Sequence, residues 1–90
     1  MIAQTIIAAA AVYGVSVDAI LSKSRADRQA VLARHAVAWA LRYDTDLTLT
    51  QIGELLDRDH TTIRASIARA EGRAVRNSRE ALRLSALLER

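Results

Sequence analysis

Four consecutive polar residues near the middle of the chain, Asp59, His60, Thr61 and Thr62, carry side chains that can contact the edges of DNA bases. A carboxylate accepts a hydrogen bond from the cytosine amino group, an imidazole bonds at purine N7 or thymine O4, and a Thr methyl contacts the thymine methyl. The same residues also suit a plainer arrangement, in which Asp59 only caps a helix and the others begin a solvated surface helix. The helices predicted around these four residues help to distinguish DNA-base contact from a solvated surface helix.

The residues around this cluster predict two helices joined by a tight turn. Thr48, with Gln51 three residues later, is a capping box that starts a short helix over TLTQIGELL. Asp59 then caps a second helix. The predicted inward residues are Leu49, Ile52, Leu55 and Leu56 in the first helix and Ile63, Ile67 and Ala70 in the second. Such a helix-turn-helix places the start of its second helix in the DNA major groove, although many all-helical proteins contain a similar pair without binding DNA.

Basic residues are unevenly distributed. The net charge is +3, and all of the 13 basic residues except Lys23 are Arg, with none before position 23. Arg suits bidentate contacts with phosphate or guanine, but a preference for Arg over Lys also follows from a GC-rich genome. Arg64 and Arg69 are expected to strengthen the positive field of the second helix. The segment 22–29, called the basic loop below, contains Lys23, Arg25 and Arg28 and fits either a phosphate-contacting loop or an ordinary solvated connection.

The remaining elements are predicted to be helical, because the chain has no Pro and only three Gly. A first helix over 2–13 ends before Gly14, and a short second helix begins after Ser16 and stops near Ser22. A long helix over 28–44 forms a central strut. Its predicted apolar stripe contains Val31, Leu32, His35, Ala38, Trp39 and Leu41. We interpret His35 as a packed, hydrogen-bonded histidine and place Arg34 off the stripe, towards the basic loop.

The C-terminal segment 72–90 contains four leucines, Leu82, Leu84, Leu87 and Leu88. It is either a continuation kinked at Gly72 or a separate helix capped by Asn77 or Ser78. So many leucines are expected to pack on the domain or against a second copy. The sequence therefore predicts one all-α domain over 1–90, with about five to six helices.

Several functions are disfavoured by composition. The chain has no Cys and only two His, so a disulfide framework, a metal site and a bound cofactor are not expected. The apolar N-terminal run lacks a basic flank and is too short to span a bilayer, so no membrane contact is expected. The absence of Cys fits a cytoplasmic protein, and DNA binding would make it nucleoid-associated. Asp59 and His60 are adjacent on a helix and point apart, and no nucleophile or phosphate loop is evident, so we predict that the chain is not an enzyme.

Three segments carry a family resemblance: RDHTTI at 58–63, AVYGVSVDAILSKSR at 11–25 and LARHAVAWAL at 32–41. From about residue 2 to 71 the chain resembles the C-terminal DNA-binding domain, domain IV, of the bacterial replication initiator DnaA. The resemblance implies a TrpR-like helix-turn-helix fold that binds the short duplex DnaA box. By position it implies base contacts from Asp59, His60 and Thr61, help from Arg58 and Thr62, and a minor-groove contact from Arg34.

The chain also departs from the family. Two Gly usually precede the Arg of RDHTT, whereas Leu55, Leu56 and Asp57 precede Arg58 here, and an apolar residue and a His usually follow where this chain has Arg64 and Ala65. The initiator's ATPase module is not recognised in this sequence. We therefore expect a free-standing accessory or regulatory protein of replication or transcription that binds a DnaA-box-like duplex. The alternative is an adaptor that docks the initiator, or self-associates, through the C-terminal helix.

Overall fold

A computed structural model describes residues 2–88, and within them the chain forms six α-helices and no strand. The helices are α1 (Ile2–Tyr13), α2 (Val17–Leu21), α3 (Arg28–Asp44), α4 (Leu49–Leu56), α5 (His60–Arg76) and α6 (Ser78–Leu88). The predicted all-α class is confirmed. The two alternatives for the C-terminal segment are also resolved: α5 runs through Gly72, and α6 is a separate helix. Asn77 Oδ1 accepts from the backbone N–H of Arg79 at 2.9 Å, so Asn77 caps α6.

The helix starts follow from side-chain caps that replace missing backbone partners. Ser16 Oγ accepts from Ala19 N at 3.0 Å, as predicted for α2. The capping box of α4 is complete, with Gln51 N donating to Thr48 Oγ1 at 3.1 Å and Thr48 N donating to Gln51 Oε1 at 2.9 Å. The start of α3 has a cap that sequence reasoning did not identify, because Asp27 accepts from Ala30 N at 3.2 Å.

Helix α3 is the centre of the domain and contacts every other helix. Its predicted apolar stripe was too narrow, since Ala33, Ala36, Val37 and Ala40 are also fully buried and the helix is covered on most sides. Alanine makes this possible because its small side chain lets neighbouring helices approach closely on several faces at once. The charged Arg34 is drawn into this covered region.

Leucine burial differs from the prediction in α4, and α6 buries half of its leucines in the domain. Leu55 is 43% exposed instead of facing the core, and in α6 Leu82 and Leu88 are exposed. Leu84 and Leu87 are buried, and α6 packs on α1, α3 and α5. Half of the leucine face of α6 is therefore used within the domain.

The turn between α4 and α5 is held by a close backbone contact. Arg58 N donates to Gly53 O at 2.8 Å, and a Cβ built on Gly53 would overlap the carbonyl oxygen of Arg58. Asp57 ends α4 in the left-handed region, at φ 55°. Asp is one of the few non-glycine residues that tolerate this conformation. The turn therefore fixes the direction in which α5 begins.

Candidate nucleic-acid interface

The first turn of α5 is exposed on the surface of the domain. Asp59 caps it, with Oδ1 accepting from Thr62 N at 2.8 Å, and this N–H bond lowers the pKa of the Asp59 carboxyl. His60 and Thr61 are exposed, and Thr62 is half-buried. The capping role in the plainer interpretation is thus observed for Asp59, while the side chains of His60 and Thr61 remain available to a ligand.

A groove lined by arginines lies beside this first turn. It has a volume of about 390 Å³ and is bounded by the basic loop, α3 and α5. Thr62 and Ser66 line it from α5, and none of its described lining residues is Asp or Glu. The arginines that line this arginine groove are Arg25, Arg28, Arg34, Arg58, Arg69 and Arg73. Such an uncompensated positive surface favours a polyanion.

The surface beside Gly53 and Asp57 is more acidic. A second cavity, of about 440 Å³, is lined by Glu54, Asp57 and Asp59 together with Arg58 and His60. Lys23 Nζ lies 3.0 Å from the Asp57 carboxylate, and this hydrogen-bonded partner lowers the pKa of Asp57. The carboxylates on this side disfavour a phosphate backbone, so the arginine groove is the side on which phosphates are favoured.

Arg34 is the predicted site residue whose placement differs most from expectation. It is only 7% exposed, and its Nε donates to Ile20 O at 2.6 Å. Its Nη2 donates to Ala19 O at 3.0 Å and to Ser24 O at 3.4 Å. Burial lowers the pKa of Arg34, and Arg58 and Arg25 lower it further. Arg34 therefore binds carbonyls at the end of α2, and a contact with the DNA minor groove requires these bonds to break.

Arg58 connects the helix-turn-helix to the basic loop. Its Nη2 donates to Ser22 O at 2.9 Å, across a sequence separation of 36 residues. Its Nη1 donates to Leu56 O at 3.0 Å and Asp57 O at 3.1 Å. Together with the Lys23–Asp57 ion pair, these bonds hold the loop against the turn. Arg34 and Arg58 thus stabilise the interface through hydrogen bonds to backbone carbonyls.

The other predicted contacts divide into two groups. Arg25, Arg28 and Arg69 are exposed and line the arginine groove, whereas Lys23 and Arg64 are exposed but lie outside its lining. The structure brings the basic loop and α5 together on one groove, as the loop–phosphate interpretation requires. It leaves Arg64 on a different face of α5.

Sequence analysis did not identify Arg73 as a groove residue and interpreted His35 only as a packed histidine. Arg73 Nη2 lies 3.1 Å from His35 Nδ1, and both residues are half-buried. Burial lowers the pKa of His35 to about 4, with smaller contributions from Arg73, Arg69 and Arg34. The signal for Arg73 was its position four residues after Arg69, which places both on one helix face once α5 is known to continue through Gly72.

Among residues 2–88 no group of three or more His, Asp or Glu side chains is placed to hold a metal ion. In the same part of the chain no helix has the length and apolarity needed to cross a membrane.

A helix pair with a tight turn, an exposed polar first turn and an adjoining basic groove defines the class of helix-turn-helix DNA-binding domains. Residues 2–69 match the family described as the bacterial dnaA protein helix-turn-helix, and the chain belongs to this family. This confirms the resemblance. The family binds double-stranded DNA.

The relatives are replication initiators. The chain is 48% identical to the chromosomal replication initiator protein DnaA of Herpetosiphon aurantiacus over a match of 52 residues. This match covers 57% of this chain. It is 35% identical over 68 residues to the chromosomal replication initiator protein DnaA 1 of Chlamydia pneumoniae, which covers 76% of this chain. These matches cover 11% and 15% of the two relatives, so the chain spans a small part of their length.

Proposed function

We propose that the chain binds duplex DNA sequence-specifically, at a DnaA-box-like site, with the start of α5 in the major groove. The observation that carries this proposal is the exposed first turn of α5 beside the arginine groove. Bases would face the first turn while the sugar–phosphate backbone lies along the groove, which is the division of contacts that sequence-specific proteins use. The family match supports the same assignment.

His60 and Thr61 are the proposed principal base contacts, because both are exposed at the N-terminal end of α5. The His60 ring can bond to a purine N7 or a thymine O4, and the Thr61 methyl can pack on a thymine methyl. Asp59 uses Oδ1 as the helix cap, and a carboxylate has further lone pairs with which to accept from a cytosine amino group. The base-contacting set therefore depends on a cap that stays in place.

Phosphate contacts are proposed for Arg25, Arg28 and Arg69 from within the arginine groove, and for Lys23 and Arg64, which lie outside its lining, from the surrounding surface. Thr62 lines the groove at the start of α5, where backbone N–H groups and the helix dipole also favour an anion. Arg34 and Arg58 support these contacts through the carbonyls that they bind. For Arg34 a direct minor-groove contact is a second proposed role, which requires release from Ala19, Ile20 and Ser24.

The relatives are named as chromosomal replication initiators, so the proposed setting is replication or the control of transcription near initiator boxes. A chain with these contacts would occupy the same duplex sites as the initiator. Such occupancy can compete with the initiator or mark a site for it.

The proposal is tested by titrating a box-containing duplex and a scrambled duplex at several salt concentrations. His60→Ala is expected to weaken binding of the box by about 1–3 kcal/mol, or roughly 5- to 150-fold, and to leave the scrambled duplex unaffected. Arg25→Gln is expected to weaken both duplexes and to reduce the slope of log K against log salt by about 0.9. Arg79→Gln, an exposed residue of α6, is the matched charge control. Equal affinity of the unmodified chain for both duplexes contradicts sequence-specific binding.

The alternative role, docking of the initiator or of a second copy, has some support from the exposed Leu82, which is 71% exposed on α6. Burial of Leu84 and Leu87 within the domain removes these two leucines from a docking surface. Sedimentation velocity of the chain and of Leu82→Lys, alone and with an initiator, tests this role. Unchanged sedimentation in every mixture excludes it.

A further inference from the structure

Arg73 differs from the other arginines that are drawn into the fold. Arg34 and Arg58 each donate to three backbone carbonyls, so their guanidinium groups are engaged by the protein itself. Arg73 lines the arginine groove one helical turn beyond Arg69, and within residues 2–88 its buried Nε–H has no acceptor. Buried donors without partners are uncommon and call for an explanation, such as a ligand.

The one hydrogen-bond partner of the Arg73 guanidinium among the described residues is a neutral ring nitrogen. Arg73 Nη2 lies 3.1 Å from His35 Nδ1, and Arg has only donors, so His35 must be neutral with its proton on Nε2. Burial, which lowers the pKa of His35 to about 4, keeps the ring in that state at neutral pH. His35 therefore orients the guanidinium without neutralising its charge.

The surroundings of Arg73 leave a net positive charge on the groove. Burial lowers the pKa of Arg73; Glu80 and Tyr13 oppose this effect, and Arg28 and Arg69 add to it. Glu80 pairs with Arg83 at 3.0 Å and does not line the groove. Three guanidinium groups, those of Arg28, Arg69 and Arg73, thus share one groove without a carboxylate in its described lining.

We propose that Arg73, positioned by His35, forms with Arg28 and Arg69 a phosphate-binding site, and that its ligand is a backbone phosphate of the bound duplex. The proposal rests on the proposed function and adds two residues that the base-contacting model does not contain. Guanidinium groups bind phosphate oxygens through paired N–H donors, which is why Arg suits this ligand better than Lys does.

The length of the groove favours a DNA strand over a small free anion. From Thr62 to Arg73 the axis of α5 rises about 16 Å, at roughly 1.5 Å per residue. Along one strand of duplex DNA a phosphate occurs about every 3.4 Å of helix axis. A strand whose bases face the start of α5 can therefore continue along the groove to Arg73. Free pyrophosphate has the same chemistry but fills only part of this length.

The test follows the side-chain Nε–H resonances of the arginines in the whole chain by NMR, with Arg73 assigned from the peak lost in Arg73→Gln. The titrants are box-containing duplex, scrambled duplex and pyrophosphate. The Arg73 resonance is expected to shift at stoichiometric amounts of either duplex and only in large excess of pyrophosphate. A shift with pyrophosphate but none with duplex identifies a small phosphorylated ligand and overturns the DNA assignment. No shift with any titrant overturns the site.

Variants provide an independent measurement. Arg73→Gln is expected to lower the salt slope by about 0.9 on both duplexes, whereas Arg79→Gln leaves it unchanged. His35→Phe keeps the net charge but removes the acceptor, so a lowered slope is expected, with rescue by His35→Gln, whose amide oxygen accepts. If Arg73→Gln and His35→Phe both behave like Arg79→Gln, the site is wrong. The phosphate site requires the lowered salt slope of Arg73→Gln on scrambled DNA as well. If the chain proves to bind DNA without sequence specificity, this result alone does not contradict the phosphate site.

Discussion

Gly53 allows a direct test of how the turn sets the direction of α5. Its Cα lies so close to the turn that an added Cβ would overlap the carbonyl oxygen of Arg58, which is a backbone atom and cannot rotate away. The same turn holds the Arg58 N–H on Gly53 O at 2.8 Å. Gly53→Ala must therefore displace the turn, and with it the first residues of α5.

The expected change in the free energy of unfolding is the difference between two opposing effects. Overpacking costs about 1–3 kcal/mol, and a clash with backbone belongs at the upper end of that range. Alanine within a helix is favoured over glycine by about 1 kcal/mol. We expect Gly53→Ala to lower the free energy of unfolding by about 2 kcal/mol, or the melting temperature by roughly 8–16 °C for a domain of this size.

Urea denaturation followed by circular dichroism measures this change, and Gly72→Ala is the matched control. A Cβ on Gly72 meets only the Arg76 guanidinium, at 3.7 Å, so this variant is expected to gain about 0.5–1 kcal/mol. Below the unfolding temperature, Gly53→Ala should also bind the box duplex more weakly because α5 is redirected. If Gly53→Ala is as stable as Gly72→Ala, the close approach of the turn described above is incorrect.

Two further predictions concern stability. Asp59→Ala removes the cap and should destabilise the fold by about 1 kcal/mol in urea titrations, while Asp59→Asn keeps it; equal losses would show that charge, not capping, matters. His35 has a folded pKa of about 4, below its unfolded value of about 6.5, so its contribution is complete above pH 6.5 and is lost as pH falls towards 4. A difference of one pKa unit between the folded and unfolded states corresponds to about 1.36 kcal/mol. After halving for solvent screening, the expected loss of stability is about 1–2 kcal/mol. His35→Gln should flatten this part of the pH–stability profile, and a profile like that of the unmodified chain would show that another group titrates there.

Local signals predicted most of the helix boundaries. The caps at Ser16, Thr48 and Asp59 act through neighbours three residues away, so the sequence itself contains both partners. Gly14 ends α1 as expected, because it adopts φ 68°. Interactions of this range depend little on the rest of the fold.

Long-range interactions were less accessible to sequence reasoning. Arg58 binds Ser22 O across 36 residues and Arg73 binds His35 across 38, and neither pairing has a local signal. Leu55 was expected to be buried from its spacing, but the face of α4 that the core covers is narrower than the apolar face. The use of Arg34 inside the fold was missed because its carbonyl partners at the end of α2 become neighbours only after α2 packs on α3.

The bond from Arg58 to Ser22 ties together the two surfaces that we propose contact DNA, the basic loop and the start of α5. Because the loop and the start of α5 are fixed relative to each other before binding, little ordering cost is incurred when DNA arrives. In the proposed complex, the same bond sets the distance between the bases that face α5 and the phosphates that lie along the loop. Inserting one base pair between those two regions rotates and shifts one of them, and the loop cannot follow. The domain would therefore measure the spacing within its site as well as the identity of the bases.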